Sequence, residues 1–218
     1  GGHTAMTRLQ MRFGMWEAAV AEIERGGWKT NDSLSARYQA GILSYLKGMA
    51  AVTQGNTENA DIHLQQLQKA SGEMASLRGQ NASDWYSGYA GRVLAVHVMD
   101  LRGSVASLQG QYAEAVKTLS EAVELEQNLG YWEPPHYTRP VLESLADTHM
   151  RAHKYELAAD AYLAILRHRP DSGFALAGLV RTYKQAGNSE RAAEYSRRLA
   201  AAWKNADRDI TQTKNLLN

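Results

Sequence analysis

Histidines and carboxylates are the side chains of this chain whose spacing invites a chemical reading. His149 and His153 lie four residues apart, so on a helix they would share one face, as two metal ligands must. No carboxylate stands with them in a metalloprotease-like arrangement, and His149 falls where the internal repeat described below buries an aromatic. The pair therefore reads as a core residue and a turn residue. His63, His97, His136 and His168 are scattered over separate stretches, and Asp100, Glu143 and Asp147 would act as a carboxylate cluster only if a groove brought them together. A metal-binding or hydrolytic site drawn from His97, His136, Glu143 and Asp147 is the alternative reading of the chain. Against it, the sequence holds no Gly-x-Ser-x-Gly, no phosphate loop and no Gly-rich dinucleotide fingerprint. With no cysteine, thiolate nucleophiles, disulfides and Cys-ligated metal sites are excluded. No catalytic residue, metal ligand or cofactor is assigned, and the chain is not read as an enzyme.

The elements that would position these residues announce themselves by repetition. Ala19, Ala60, Ala115, Ala158 and Ala192 each follow a turn residue by five positions, the turns being Gly14, Gly55, Gly110, His153 and Gly187. The clearest unit runs from Arg92 to Glu126. Val98, Leu101, Val105 and Leu108 mark its first helix at spacings of three and four, Gln109-Gly110-Gln111 makes the turn, and Tyr112 opens the second helix. Gly103 and Ala115 are predicted to face one another where the two helices cross, because only small side chains let the axes approach closely.

This order of small, turn, aromatic, alanine and apolar residues, at Gly103, Gly110, Tyr112, Ala115, Leu119 and Ala122, resembles the tetratricopeptide repeat. It recurs through Gly48, Gly55, Ala60, Leu64 and Leu67; through Leu145, Ala146, Tyr155, Ala158, Tyr162, Ile165 and Pro170; and through Leu176, Tyr183, Gly187, Ala192 and Leu199. The fold class implied is all-α, a right-handed α-α superhelix of antiparallel hairpins forming a single solenoid over 1–218. Hairpins are expected near 4–26, 34–75, 84–128, 140–168 and 172–203, with a polar capping helix over 206–217 whose Ile210, Leu216 and Leu217 close the last apolar face. Thr57, Ser189, His153 and Val180 depart from the pattern, so looser packing is expected toward the ends.

Successive turns are 41, 55, 43 and 34 residues apart, which puts extra length between hairpins, at 26–33, 71–84 and 127–139. Ser83 or Asp84 is expected to cap the third hairpin and Asp171 the helix after Pro170. A wider resemblance, carried by Phe13-Gly14-Met15-Trp16, by Tyr131 to Tyr137 with Pro140, and by Pro170 to Leu179, is to the C-terminal half of large bacterial tetratricopeptide proteins, most without an assigned function. Together with a first unit short of residues before Gly14, it leads to the expectation of a fragment of a longer scaffold.

Charge is nearly balanced at +1, which gives no whole-surface footprint for nucleic acid. An irregular period also argues against single-stranded RNA reading by a related repeat. The balance is uneven: residues 1–150 hold 12 basic and 16 acidic side chains, and residues 151–218 hold 12 and 7. No apolar run approaches the roughly 20 residues a membrane span requires. The expected setting is soluble, in a bacterial cytoplasm or periplasm.

The resemblance implies a concave surface formed mainly by the first helix of each hairpin. Carried over by register, it presents Tyr45 and Met49; His97, Asp100 and Ser104; Glu143, Asp147 and Arg151; and Arg181 with Lys184. The family's clamp for a C-terminal carboxylate needs Lys, Arg and Asn at several of these places. Asp100, Glu143 and Asp147 stand there instead, so a chaperone-tail receptor is not expected. Between 127 and 140, Glu133-Pro134-Pro135 forces an extended strut that holds Tyr131, Trp132, His136 and Tyr137. Those aromatics either pack down to seal the gap between hairpins, the favoured reading, or anchor a partner. The function expected is a non-catalytic scaffold for a protein or peptide segment, acidic toward the C-terminal end, without nucleic acid or membrane insertion.

Overall fold

The computed structural model describes residues 2–26, 33–80, 85–130 and 139–205. They form helices joined by turns, with no strand among the described residues. In chain order these are α1 (Gly2–Arg12), α2 (Trp16–Gly26), α3 (Ser33–Thr53), α4 (Thr57–Gln80), α5 (Trp85–Leu108), α6 (Tyr112–Gln127), α7 (Val141–Arg151), α8 (Tyr155–His168), α9 (Gly173–Gln185) and α10 (Ser189–Ala202). They gather into two compact units, Gly1–Val141 and Leu142–Asn218. The architecture is all-α and tetratricopeptide-like.

Five hairpin turns are built alike. After α3 the Gly55 N–H donates to the Val52 carbonyl and the Asn56 N–H to the Ala51 carbonyl. The same pair of bonds recurs at Gly14 and Met15, Gly110 and Gln111, His153 and Lys154, and Gly187 and Asn188. Two otherwise orphaned carbonyls at each helix end are satisfied, and the geometry requires left-handed backbone at the turn residue. Glycine supplies it at four turns, with φ between +65° and +77°; His153 supplies it at the fifth, with φ of +54°. The alanine five positions on then donates its N–H to the carbonyl of the residue after the turn, as Ala60 does to Asn56. That bond starts the second helix. All five of these alanines are buried, four of them fully.

Within the first unit, small residues set the helix spacing. A methyl added at Gly48 would run into the Leu101 side chain, and one at Gly41 would lie 2.8 Å from Leu94 Cδ2. Since 41 pairs with 94 and 48 with 101, α3 and α5 run in the same direction and mesh at a seven-residue interval, about 10 Å along each axis. Gly103 meets Leu119 and the Ala115 carbonyl across the α5/α6 crossing.

The second unit uses a different close contact. Gly178 of α9 receives the ring of Tyr162 from α8, and Gly173 receives the indole of Trp203, which follows α10. Position 180, where the repeat register places the small residue, is a buried valine. Ser172, not Asp171, caps α9: its Oγ accepts from the Ala175 N–H at 3.4 Å. At the end of the first unit, the Val141 N–H donates to Glu126 Oε2 at 2.9 Å. The expected caps Ser83 and Asp84 and the expected helix over 206–217 lie outside the described residues.

Candidate interaction surface

The first-helix residues of the first unit do not line an open face. Tyr45, Met49, His97, Asp100 and Ser104 are all buried, Asp100 completely. Helical register aims them toward one side of α3 and α5, but those two helices pack directly on each other, so the side chains are enclosed at their seam. There Tyr45 packs with both Asp100 and His97. Tyr45 Oη donates to Asp100 Oδ2 at 2.7 Å, the Tyr45 and His97 rings meet edge to face at 4.3 Å, and Trp16 stands edge-on to Tyr45 at 6.1 Å. His97 Nδ1 lies 2.8 Å from the Val93 carbonyl, which can only accept, so Nδ1 carries the proton and donates it. Burial pushes the His97 imidazole down to about 4; the Val93 carbonyl and the Asp100 charge oppose the shift without reversing it. At neutral pH His97 is an uncharged core ring.

The second unit brings three predicted residues together around one that sequence register had assigned only to packing. Asp147 Oδ1 accepts from Tyr162 Oη at 3.0 Å and pairs with Arg181 Nη2 at 2.6 Å, while the same guanidinium nitrogen donates to Tyr162 Oη at 2.9 Å. Burial, then the Asp147 charge, holds the Tyr162 phenol far above its usual range despite the adjacent Arg181. Burial works to lower the Arg181 pKa, but Tyr162 and Asp147 outweigh it and leave the guanidinium more firmly protonated. Arg181 is thus an internal cation holding α9 to α7 and α8. Glu143, one helical turn from Asp147, is buried, and its charge adds to the upward pressure on Tyr162.

Arg151 and Lys184, by contrast, are exposed, at the C-terminal ends of α7 and α9. Trp132, His136 and Tyr137 lie outside the described residues. His149 is buried, which lowers its pKa, and the ring of His153 meets the hydroxyl of Tyr155 at 2.9 Å. Among the described residues no three His, Asp or Glu side chains gather to hold a metal ion.

Two clusters went unforeseen. Arg139, just before α7, places its guanidinium carbon 5.9 Å from the centroid of the Trp16 ring. On α9 and α10 the Tyr183 and Tyr195 rings stack at 5.6 Å, with Arg191 and Arg198 each over one of them. The spacing of Arg191, Tyr195 and Arg198 along one helix face was the available signal for the second cluster. No local signal links 139 to 16.

A family model described as tetratricopeptide repeat matches residues 96–129, covering the C-terminal half of α5 and all of α6. Residues 96–129 are a tetratricopeptide repeat. The matched segment holds the regular turn at Gly110 and the Gly103/Leu119 crossing, the contacts that define the hairpin. A comparison with curated proteins gives no match. Tetratricopeptide repeats serve in general as protein–protein interaction scaffolds and are typically non-catalytic, which supports protein partners as a class. Among the described residues no helix is long and apolar enough to cross a membrane.

Proposed function

We propose that this tetratricopeptide-repeat protein is a non-catalytic scaffold that holds an acidic segment of a partner protein against the first-helix face of its second unit. The observation that carries the reading is the division of labour among the cations there. Asp147 and Tyr162 occupy Arg181, while Lys184, one helical turn on along α9, is exposed at the end of that helix. The internal network fixes the helix that presents the Lys184 charge. Each exposed pair with a partner carboxylate is worth only about 0–1 kcal/mol, so apolar contacts nearby must supply most of the affinity.

The experiment is site-specific photocrosslinking in the source cell with the crosslinker at position 184, and with position 167 on α8 as control. A protein captured from 184 and not from 167, and no longer co-purified with the Lys184→Glu variant at unchanged helicity, supports the reading. Co-purification that ignores the charge reversal refutes it. Arg181→Glu is unsuitable as a probe, because it would break the protein's own network.

A further inference from the structure

The face of Trp16 belongs to the first unit, and what lies on it comes from the far end of that unit. Arg139 is 123 residues further along the chain, yet its guanidinium carbon sits 5.9 Å from the Trp16 ring centroid. Two residues later the backbone is tied to α6, through the Val141 N–H and Glu126 Oε2. The contact therefore joins the third hairpin to the first.

Trp16 is a prepared platform. It is 4% exposed, and its neighbour Tyr45 is itself fixed by the Asp100 carboxylate and the His97 ring. A tryptophan face so held attracts a cation through its ring quadrupole, and the planar guanidinium suits it best. We propose that this face is a seat for an arginine side chain, filled in the free protein by its own Arg139, and that a partner segment bearing arginine binds the first unit by displacing it. Arg139 is then an internal competitor that sets a threshold for partner binding.

The proposal extends the scaffold reading to the first unit, and its test needs no partner. The probe is N-acetyl-arginine amide titrated to about 0.5 M at constant ionic strength, the range in which so weak a contact half-saturates, with the uncharged N-acetyl-citrulline amide as control. The readout is the indole N–H cross-peak of Trp16 in a nitrogen–proton NMR spectrum, assigned with Trp16→Phe. In Arg139→Ala the cross-peak should move from its wild-type position and then shift on adding the arginine probe. Half-saturation should come at a concentration roughly fivefold lower than in the wild type, the factor a contact of about 1 kcal/mol confers. Citrulline should not reproduce the shift, and Arg139→Gln should behave as Arg139→Ala does. The proposal is overturned if Arg139→Ala leaves the cross-peak in place, if both proteins titrate alike, or if citrulline shifts it equally. Failure of crosslinking at position 184 would refute the second-unit reading while leaving this titration untouched.

Discussion

His97 offers the sharpest quantitative test of the buried seam, with acid as the perturbation. In the unfolded chain the imidazole takes up a proton near pH 6.5; in the folded protein burial delays this to about 4. As pH falls from 6.5 toward 4 the unfolded state binds a proton that the folded state refuses, so folding stability declines across that window. Below 4 both states are protonated and no further loss accrues. A separation of 2.5 pKa units between the values 6.5 and about 4, at about 1.4 kcal/mol each, makes the loss about 3 kcal/mol. Carboxylates add their own pH dependence, so the measurement is a difference. Urea unfolding followed by α5 amide exchange, at pH 7 and pH 4.5, should show wild type losing about 2–3 kcal/mol more than His97→Gln. Direct NMR observation of the ring should show no titration between pH 8 and 5. Parallel losses in the two proteins, or a ring that titrates near 6.5, would refute the claim that the α3/α5 seam encloses a neutral histidine.

Other expectations follow from individual contacts. Gly48→Ala gains helix propensity but drives a methyl into Leu101, and should lower stability by about 1–2 kcal/mol, read from the denaturant midpoint. His153→Gly relieves left-handed backbone at the one turn without glycine, and should raise the melting temperature by a gain of about 1 kcal/mol, less whatever the Tyr155 contact contributes. In a double-mutant cycle, Asp147→Asn and Arg181→Gln should couple by about 1–3 kcal/mol; a coupling near zero would mean the ion pair is replaceable by water.

The departures from register carry the same physics. The repeat puts a small residue at position 180, but Val180 is there, and the unit recovers its close approach through Gly178 beneath Tyr162. That shift moves Tyr162 into the polar network, where its hydroxyl meets Asp147 and Arg181. Arg181 was legible as a cation on the right helix face. Its engagement was not, because the partner residues come from two other helices.

The sequence by itself determined the hairpins, because their cause is local. A left-handed turn residue, an alanine five positions later and a three-and-four apolar spacing act within one pair of helices, and Gly14, Gly55, Gly110, His153 and Gly187 mark the turns in the chain as they do in space. Only the tertiary structure decided what each polar residue faces. Helical periodicity tells that Tyr45, His97 and Asp100 share a side of their helices, but stacking of α3 on α5 buries that side, while the ends of α7 and α9 leave Arg151 and Lys184 in solvent. Stacking and long-range contacts such as Arg139 on Trp16 depend on shapes summed over many residues, which no short pattern of side chains encodes.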